Sequence, residues 1–482
     1  MIENIKSIKV KLSNMNFRYD VFLMINLFFS FINIEFINEE FDLSIDIDEE
    51  AGNVIIKDNE GLFNYEINRS YKPSEEVKKA LFIYLRKVTG KFLPWGTLVG
   101  IRPSKKALDL LEKRYSEDEV IKEFKDRHET SAEKAQLCID VAKYEKSIVN
   151  KDENTVSIYV GMPFCPTRCV YCSFTSNPIG GKAALVKEYL NAITKEIEAI
   201  SKYVSEKNLT IETVYFGGGT PTAVNDEEFE DIMNKIYRGF VEGNNVKEFT
   251  VECGRVDSIT EKKLQSMKRY KVHRISINPQ TMNDDTLKSI GRNHNSKAVE
   301  ECFNLARNLG FDNVNMDMIV GLPGEGLSHI NKSCEEILKL NPDSITIHGM
   351  SVKRGSRLHE NLVNKGQFTI PNQDELNAMY TATKKLSLAL NMKPYYMYRQ
   401  KNMVGNMENV GYCRNEKICI YNIQMIEEKQ TIIALGADGV SKVVFLDENR
   451  IERFANVKDV KEYNNRIEEM IDRKIELLNT LY

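Results

Sequence analysis

Cys165, Cys169 and Cys172 stand within eight positions in a C-x3-C-x2-C pattern, in a chain of 482 residues with nine cysteines. At a cysteine frequency of about 2%, a given three-cysteine spacing arises by chance about 0.004 times in a chain of this length. Three thiolates suffice to hold three irons of a [4Fe–4S] cube and leave the fourth iron open. A ferredoxin-type cubane or a structural zinc site is closed by a fourth ligand. None follows nearby, since the next Cys is Cys253 and the next His is His273. The spacing points to a cluster that a bound small molecule completes. A zinc site closed by a distant residue and a chance run of buried thiols stand as alternatives.

The length allows two or three domains and a large core. A net charge of -4, with 28% charged residues of both signs spread along the chain, argues against a dedicated nucleic-acid binder. Few, clustered and odd-numbered cysteines fit a reducing compartment rather than a disulfide framework. The N-terminus lacks the basic, apolar, small-residue order of a signal peptide. The apolar run at 21–37 is interrupted by Asn26, Ser30, Asn33 and Glu35, and falls short of a span of about 20 apolar residues. It reads as a buried helix. A cytoplasmic protein without a membrane span is expected.

Three regions follow from the rhythm of the chain. Residues 1–150 read as an α+β domain with a helical linker: a helix at 21–33, strands at 41–46, 53–57 and 62–67, and a helix at 75–88. Near residue 100, Arg102 and Lys105 can bind an anion at a helix start or belong to a solvated loop or ion pair. Residues 151–350 alternate strand and helix. Strands are expected at 155–160, 211–216, 247–252, 272–277, 312–319 and 343–348, most of them short, apolar and β-branched. Helices are expected at 183–206, 226–240, 260–269, 296–309 and 327–339. The pattern predicts an α/β fold with a partial parallel (β/α)6 TIM-like barrel, the doubly wound sheet being the alternative. Residues 351–482 read as an appended, mainly helical domain that can cover the barrel mouth.

Chemistry in such barrels sits at the C-terminal strand ends. Here the first strand leads into the cysteine loop, and the second into Gly217-Gly218-Gly219-Thr220. Glycines let backbone groups approach a ligand closely, although a tight turn alone also uses them. The third strand ends at Glu252, and Asp317 lies on the fifth; both can accept hydrogen bonds from an ammonium or from ribose hydroxyls, or serve as structural carboxylates. Arg292 offers a fork for a carboxylate or a surface ion pair. Gln280 can bond ribose hydroxyls or cap a loop. Tyr159 and Tyr171 flank the cysteines, and His348 ends the sixth strand as a candidate acid/base. Cys413 and Cys419 suggest either buried hydrophobes or a second metal site.

With these residues in place, an open iron completed by the amine and carboxylate of S-adenosylmethionine (SAM) is the logic of a radical SAM enzyme. The chain resembles the radical-SAM oxygen-independent coproporphyrinogen-III oxidase (dehydrogenase) family in the cysteine loop behind Pro163-Phe164, the Gly-Gly-Gly-Thr-Pro run, Gln280, Arg292-Asn293, and 315–319 through Gly321-Leu322-Pro323. It looks like the HemZ branch at Trp95-Gly96 through Pro103, Glu252-Cys253-Gly254-Arg255, Tyr398-Arg399-Gln400-Lys401-Asn402 and Glu408-Asn409-Val410-Gly411-Tyr412. The resemblance implies that Cys165, Cys169 and Cys172 ligate a [4Fe–4S] cluster. It further implies that Tyr159, Tyr171, Gly218, Gly219, Thr220, Glu252, Gln280, Arg292 and Asp317 line the cluster and SAM site. The implied reaction is oxidative decarboxylation of coproporphyrinogen III to protoporphyrinogen IX in haem biosynthesis. An electron donor such as flavodoxin or ferredoxin goes with it. Arg399 and Lys401 are the candidate partners for tetrapyrrole carboxylates.

Two positions depart from the family's oxidases. They carry a fourth Cys where this chain has Phe174, and a His where it has Gly161. A Phe at the first place is also what the related haem chaperones show, so a haem-carrying radical-SAM-like protein is a second expectation. A radical SAM enzyme with another substrate is a third.

Overall fold

The computed structural model describes residues 7–29, 32–100, 102–172, 177–352, 358, 369–400 and 403–482. The N-terminal unit contains β1 (Ser7–Leu12), α1 (Arg18–Phe28), β2 (Asn33–Phe36), β3 (Leu43–Asp48), β4 (Asn53–Lys57), β5 (Leu62–Glu66) and α2 (Pro73–Thr89). The strands form one sheet in the order β2-β1-β3-β4-β5. In β1, Ile8, Val10 and Leu12 turn to the core while Lys9 and Lys11 alternate with them, the period of two of a half-buried strand. The sheet therefore has two more strands than the local sequence suggested. The first helix stops at Phe28, and the apolar run beyond it resumes in β2, which pairs in parallel with β1. Helices α3 (Pro103–Glu112), α4 (Glu117–His128) and α5 (Ala132–Lys146) follow. A reciprocal capping box of Ser116 and Glu119 starts α4.

The core strands are β6 (Thr155–Met162), β9 (Thr210–Gly218), β10 (Glu248–Glu252), β11 (Arg274–Ser276), β12 (Val314–Val320) and β13 (Ser344–Gly349). Two short strands, β7 (Phe164–Cys165) and β8 (Asn177–Pro178), pair beside the cysteine loop. The six core strands lie side by side in chain order and every neighbouring pair is parallel. The connections run through α6 (Ala183–Glu206), α7 (Asp226–Ile236), α8 (Glu261–Arg269), α9 (Asp284–Ser289), α10 (Ser296–Asn308) and α11 (Leu327–Leu340). This is the partial parallel barrel. Its strands are near-continuous buried runs such as Thr213–Phe216 and Phe249–Val251, as a sheet covered on both faces requires.

The C-terminal region contributes the helices α12 (Gln373–Ala389), α13 (Ile420–Glu427), α14 (Val460–Asn465) and α15 (Ile467–Leu478). It also contributes five strands that local patterning did not announce: β14 (Lys393–Tyr398), β15 (Asn409–Cys413), β16 (Thr431–Leu435), β17 (Val440–Phe445) and β18 (Arg450–Ala455). β15 pairs antiparallel with β13, and β16 pairs parallel with β6, so the region extends the core sheet at both edges. Pairing both core edge strands moves the open edges of the sheet out to β14 and β18, away from the parallel core. No helix among the described residues is long and apolar enough to cross a membrane.

A buried polar knot fastens α15 to α6, the helix that follows the first core strand. Lys474 and Glu196 are both fully buried and bonded to each other. Glu196 also accepts from Tyr463 Oη at 2.6 Å, Asn456 Nδ2 at 2.9 Å and the Gly436 amide at 2.8 Å. Removing one partner of such a pair strands the other charge, at about 3–5 kcal/mol. Lys474→Ala is therefore expected to lower the unfolding free energy by about that amount. Urea denaturation reads it, and a loss below about 1 kcal/mol, the worth of a surface pair, would refute the role.

Candidate functional site

The site begins where β6 ends. The Met162 carbonyl accepts the Gly219 amide at 2.6 Å, and the Phe164 carbonyl accepts the Thr220 amide at 2.8 Å. These bonds carry the β6–β9 pairing past the strands and set the glycine turn against the cysteine loop. A Cβ on Gly219 would lie 2.6 Å from the Phe164 oxygen and 2.9 Å from Cys165 Sγ. Gly218 has φ +108°, where a side chain is strained, and its Cβ would lie 2.8 Å from the Met162 amide. Thr220 Oγ1 donates to Cys165 Sγ at 3.4 Å. The far half of the loop is tied to the turn after α9: the Val170 amide donates to Ile290 O at 3.1 Å, and Thr167 Oγ1 to Gly291 O at 2.9 Å. Cys165 and Cys169 are buried, Cys172 is half-buried, and none is in a disulfide.

The carboxylates come from neighbouring strands. Tyr215 Oη donates to Glu252 at the end of β10. Burial pushes the Glu252 carboxyl above its ordinary range, and the negative charge of Asp317 adds to this. Asp317 accepts Asn315 Nδ2 at 2.7 Å and faces His348 Nε2 at 3.4 Å. Burial raises Asp317 too, but the His348 contact outweighs it and holds the carboxyl below the usual range. His348 moves the opposite way: burial opposes its charge, and the Asp317 carboxylate more than offsets this.

Gln280 sits at φ +67°, a left-handed conformation that costs a non-glycine residue about 1–3 kcal/mol. It is held there by two backbone bonds to β12, from its amide to Asp317 O and from the Ile319 amide to its carbonyl, both 2.9 Å. Its Oε1 is buried without a partner. Arg292 donates to Asn278 O at 2.6 Å and Tyr171 Oη at 3.3 Å, and its buried Nε has no partner. Tyr159 stacks on Tyr215 and Tyr421, with centroids 6.1 Å away in each case.

All twelve residues singled out in the sequence line one cavity of about 490 Å³: the three cysteines, Tyr159, Tyr171, Gly218, Gly219, Thr220, Glu252, Gln280, Arg292 and Asp317. His348 lines it as well. Sequence reasoning missed Arg255, Arg274, Tyr215 and Tyr421 in the same wall. For Arg255 a signal existed, three residues after Glu252 at a strand end; Tyr421 arrives from α13 and had none.

Other expectations resolve differently. Arg399 does not reach out for a substrate carboxylate: it is 2% exposed, donates to Leu98 O at 2.7 Å and Asn406 O at 2.5 Å, and stacks on Trp95 at 4.5 Å. Its guanidinium is consumed in joining the linker to the β14–β15 connection. Lys401 and Phe174 lie outside the described residues. Arg102 is in an ion pair with Glu428 at 2.7 Å, and Lys105 is exposed. Cys419 donates to Glu248 Oε1 at 3.3 Å, and no metal-holding trio of His, Cys, Asp or Glu forms among the described residues. The three clustered cysteines are among those residues. A single zinc ion needs its ligands gathered on one point, whereas the thiolates of a cubane each take a separate iron and stand farther apart. At Gly161, a Cβ would meet Leu435 O at 3.3 Å and the Tyr159 ring at 3.4 Å, so β16 leaves little room for the family's His.

The donor set suits a cluster with an amino-acid ligand. Three thiols share one loop with an arginine and a threonine donating to sulfur, and Gln280 and Arg292, each with a buried polar atom that has no partner among the described residues, line the same cavity. The Radical SAM superfamily pattern matches residues 159–337, which defines the class: a radical SAM protein, whose cofactors are a [4Fe–4S] cluster and SAM. The oxygen-independent coproporphyrinogen-III oxidase-like protein HemZ of Bacillus subtilis is 39% identical over 417 residues, covering 85% of this chain and 82% of that protein. The chain belongs to the family of oxygen-independent coproporphyrinogen-III oxidase-like proteins that includes HemZ. The heme chaperone HemW of Bacillus subtilis is 32% identical over 262 residues, 54% of this chain and 68% of that protein. Among solved structures, the Escherichia coli coproporphyrinogen III oxidase HemN shares the fold, with a TM-score of 0.53, 18% identity and coverage of 68% of this chain and 72% of that one.

The His348–Asp317 contact sets a pH window in the cofactor-free protein. His348 has a raised folded pKa, so its contribution is complete below about 6.5 and is lost as pH rises through the folded value. Asp317 has a lowered one, so its contribution is complete above about 3.9 and is lost as pH falls through the folded value. His348→Gln is expected to remove the alkaline loss from a stability-against-pH curve measured by urea unfolding. An unchanged alkaline limb would mean the contact does not stabilise the fold.

Proposed function

We propose that this protein catalyses oxygen-independent oxidative decarboxylation of coproporphyrinogen III to protoporphyrinogen IX. The observation that carries the reading is the gathering of all twelve predicted residues on one cavity at the C-terminal ends of parallel strands. The 39% identity to a coproporphyrinogen-III oxidase-like protein supplies the substrate class.

In this reading Cys165, Cys169 and Cys172 hold the [4Fe–4S] cluster. Backbone groups of Gly218 and Gly219 meet the SAM ammonium, and Thr220 supports Cys165. Arg292 has an unpartnered Nε for the methionine carboxylate. Glu252, Asp317 and Gln280 take the ammonium and the ribose hydroxyls, and Tyr159 and Tyr171 wall the site. When bound, the cofactors supply a 5′-deoxyadenosyl radical that takes a hydrogen from a propionate β-carbon, after which carbon dioxide leaves and an acceptor removes the last electron. The buried walls keep water and quenchers away. With Arg399 committed elsewhere, the basic side chains among the described residues that line the cavity are Arg255, Arg274, Arg292 and His348. A flavodoxin- or ferredoxin-type electron donor and a cytoplasmic setting belong to the same reading.

A second reading, haem binding and delivery, is favoured by the match to HemW. One anaerobic experiment separates them. The cluster is reconstituted, and a reductant, SAM and coproporphyrinogen III are added. 5′-Deoxyadenosine and protoporphyrinogen IX are expected to rise together. Deoxyadenosine without a vinyl product would sink the substrate; stoichiometric haem binding without turnover would favour the second reading.

A further inference from the structure

One arginine is tied down behind the cysteine loop on every side. Arg255 lies three residues beyond β10, and it is 3% exposed. Its Nε and Nη2 donate to the two oxygens of Asp257 at 2.9 and 2.6 Å, so the fork is committed to one carboxylate. The remaining nitrogen, Nη1, turns to the cysteine loop. It donates to Thr167 Oγ1 at 2.7 Å, to Thr167 O at 3.3 Å and to Cys169 Sγ at 3.6 Å. Thr167 in turn holds Gly291, next to Arg292. Beyond Asp257 stands His294, with Nδ1 3.9 Å from Asp257 Oδ1.

A guanidinium with two of its nitrogens fixed on a carboxylate cannot swing away from the sulfur. Hydrogen bonds to cluster sulfurs and local charge are main determinants of an iron–sulfur reduction potential. A cation at a thiolate stabilises the reduced cluster, which carries one more electron, over the oxidised one. Asp257 works against it, because its negative charge partly cancels the guanidinium that the sulfur feels.

We propose that Arg255 is a positioning residue for the cluster: it orients Cys169 and raises the cluster's reduction potential, with Asp257 holding it and moderating its charge. The inference rests on the cluster assignment to the three cysteines and not on the substrate.

The test is a redox titration of the reconstituted full chain without SAM, followed by the electron paramagnetic resonance signal of the reduced cluster. Arg255→Met is expected to make reduction about tenfold less favourable, which is about 59 mV for one electron. Arg255→Lys, which keeps the charge and loses the fork, is expected to fall between wild type and Arg255→Met. Asp257→Asn leaves the cation uncompensated and is expected to shift the potential upward. A merely structural contact gives no such opposition of sign. Shifts in the same direction, or none, would overturn the inference. If Arg255→Met takes up no cluster, Asp257→Asn decides alone: a potential at or below wild type overturns it, and a higher one supports it. A wild-type chain that takes up no cubane overturns both this inference and the proposed function. A loaded wild type with unsplit variants overturns only this inference.

Discussion

The structure depends on the close approach of the glycine turn after β9 to the loop after β6. Beyond the strand ends, the Gly219 and Thr220 amides still bond to Met162 and Phe164. The first cysteine is thus positioned by sheet pairing rather than by a free loop. The approach leaves no volume for side chains, because a Cβ on Gly218 or Gly219 would fall within 3.0 Å of backbone or sulfur. Forcing extra atoms into so packed a place typically costs about 1–3 kcal/mol, and here the displaced groups would be those that carry Cys165.

The same constraint explains why the end of the chain belongs to the site. β6 has β9 on one side and β16 on the other. Tyr189 Oη donates to the Gly161 carbonyl at 2.5 Å, and a Cβ on Gly436 would lie 2.8 Å from that oxygen. Glu196, two helical turns further along α6, receives Lys474 from α15. The last helix, α6 and the strand that leads into the cysteines are therefore one packed unit. Next to β6, α13 brings Tyr421 against Tyr215 of β9, with ring centroids 4.3 Å apart. The C-terminal region extends the core sheet at both edges and supplies part of the cavity wall.

The core was legible because its elements are written locally. Buried parallel strands are continuous apolar runs, and the amphipathic stretches between them mark the crossover helices. Residues at their C-terminal ends converge by topology alone, which is why Glu252, Gln280 and Asp317 were found without any contact information. β1 and β2 were harder: four to six residues make weak local signals, and what fixes them is pairing with each other and with β3. β14 to β18 depend in the same way on their partners, β16 most of all, since it pairs with β6 from the other end of the barrel sequence. Arg399 and Arg255 show the limit most sharply. Both are single arginines in motif-like surroundings; one is spent on backbone carbonyls and Trp95, the other on Asp257, Thr167 and Cys169. Only burial and partners distinguish them.

The two carboxylates at the cavity are chemically unequal, and His348 makes them so. Both are buried, and burial alone would raise both. His348 stands against Asp317 and fixes its charge, and that fixed charge then disfavours ionisation of Glu252. Environments that push two neighbouring acids apart divide their roles. Asp317 is biased toward its charged form, while burial and the Asp317 charge bias Glu252, bonded to Tyr215, toward its neutral one. The inequality of the two acids is therefore set by the Asp317–His348 contact at the strand ends.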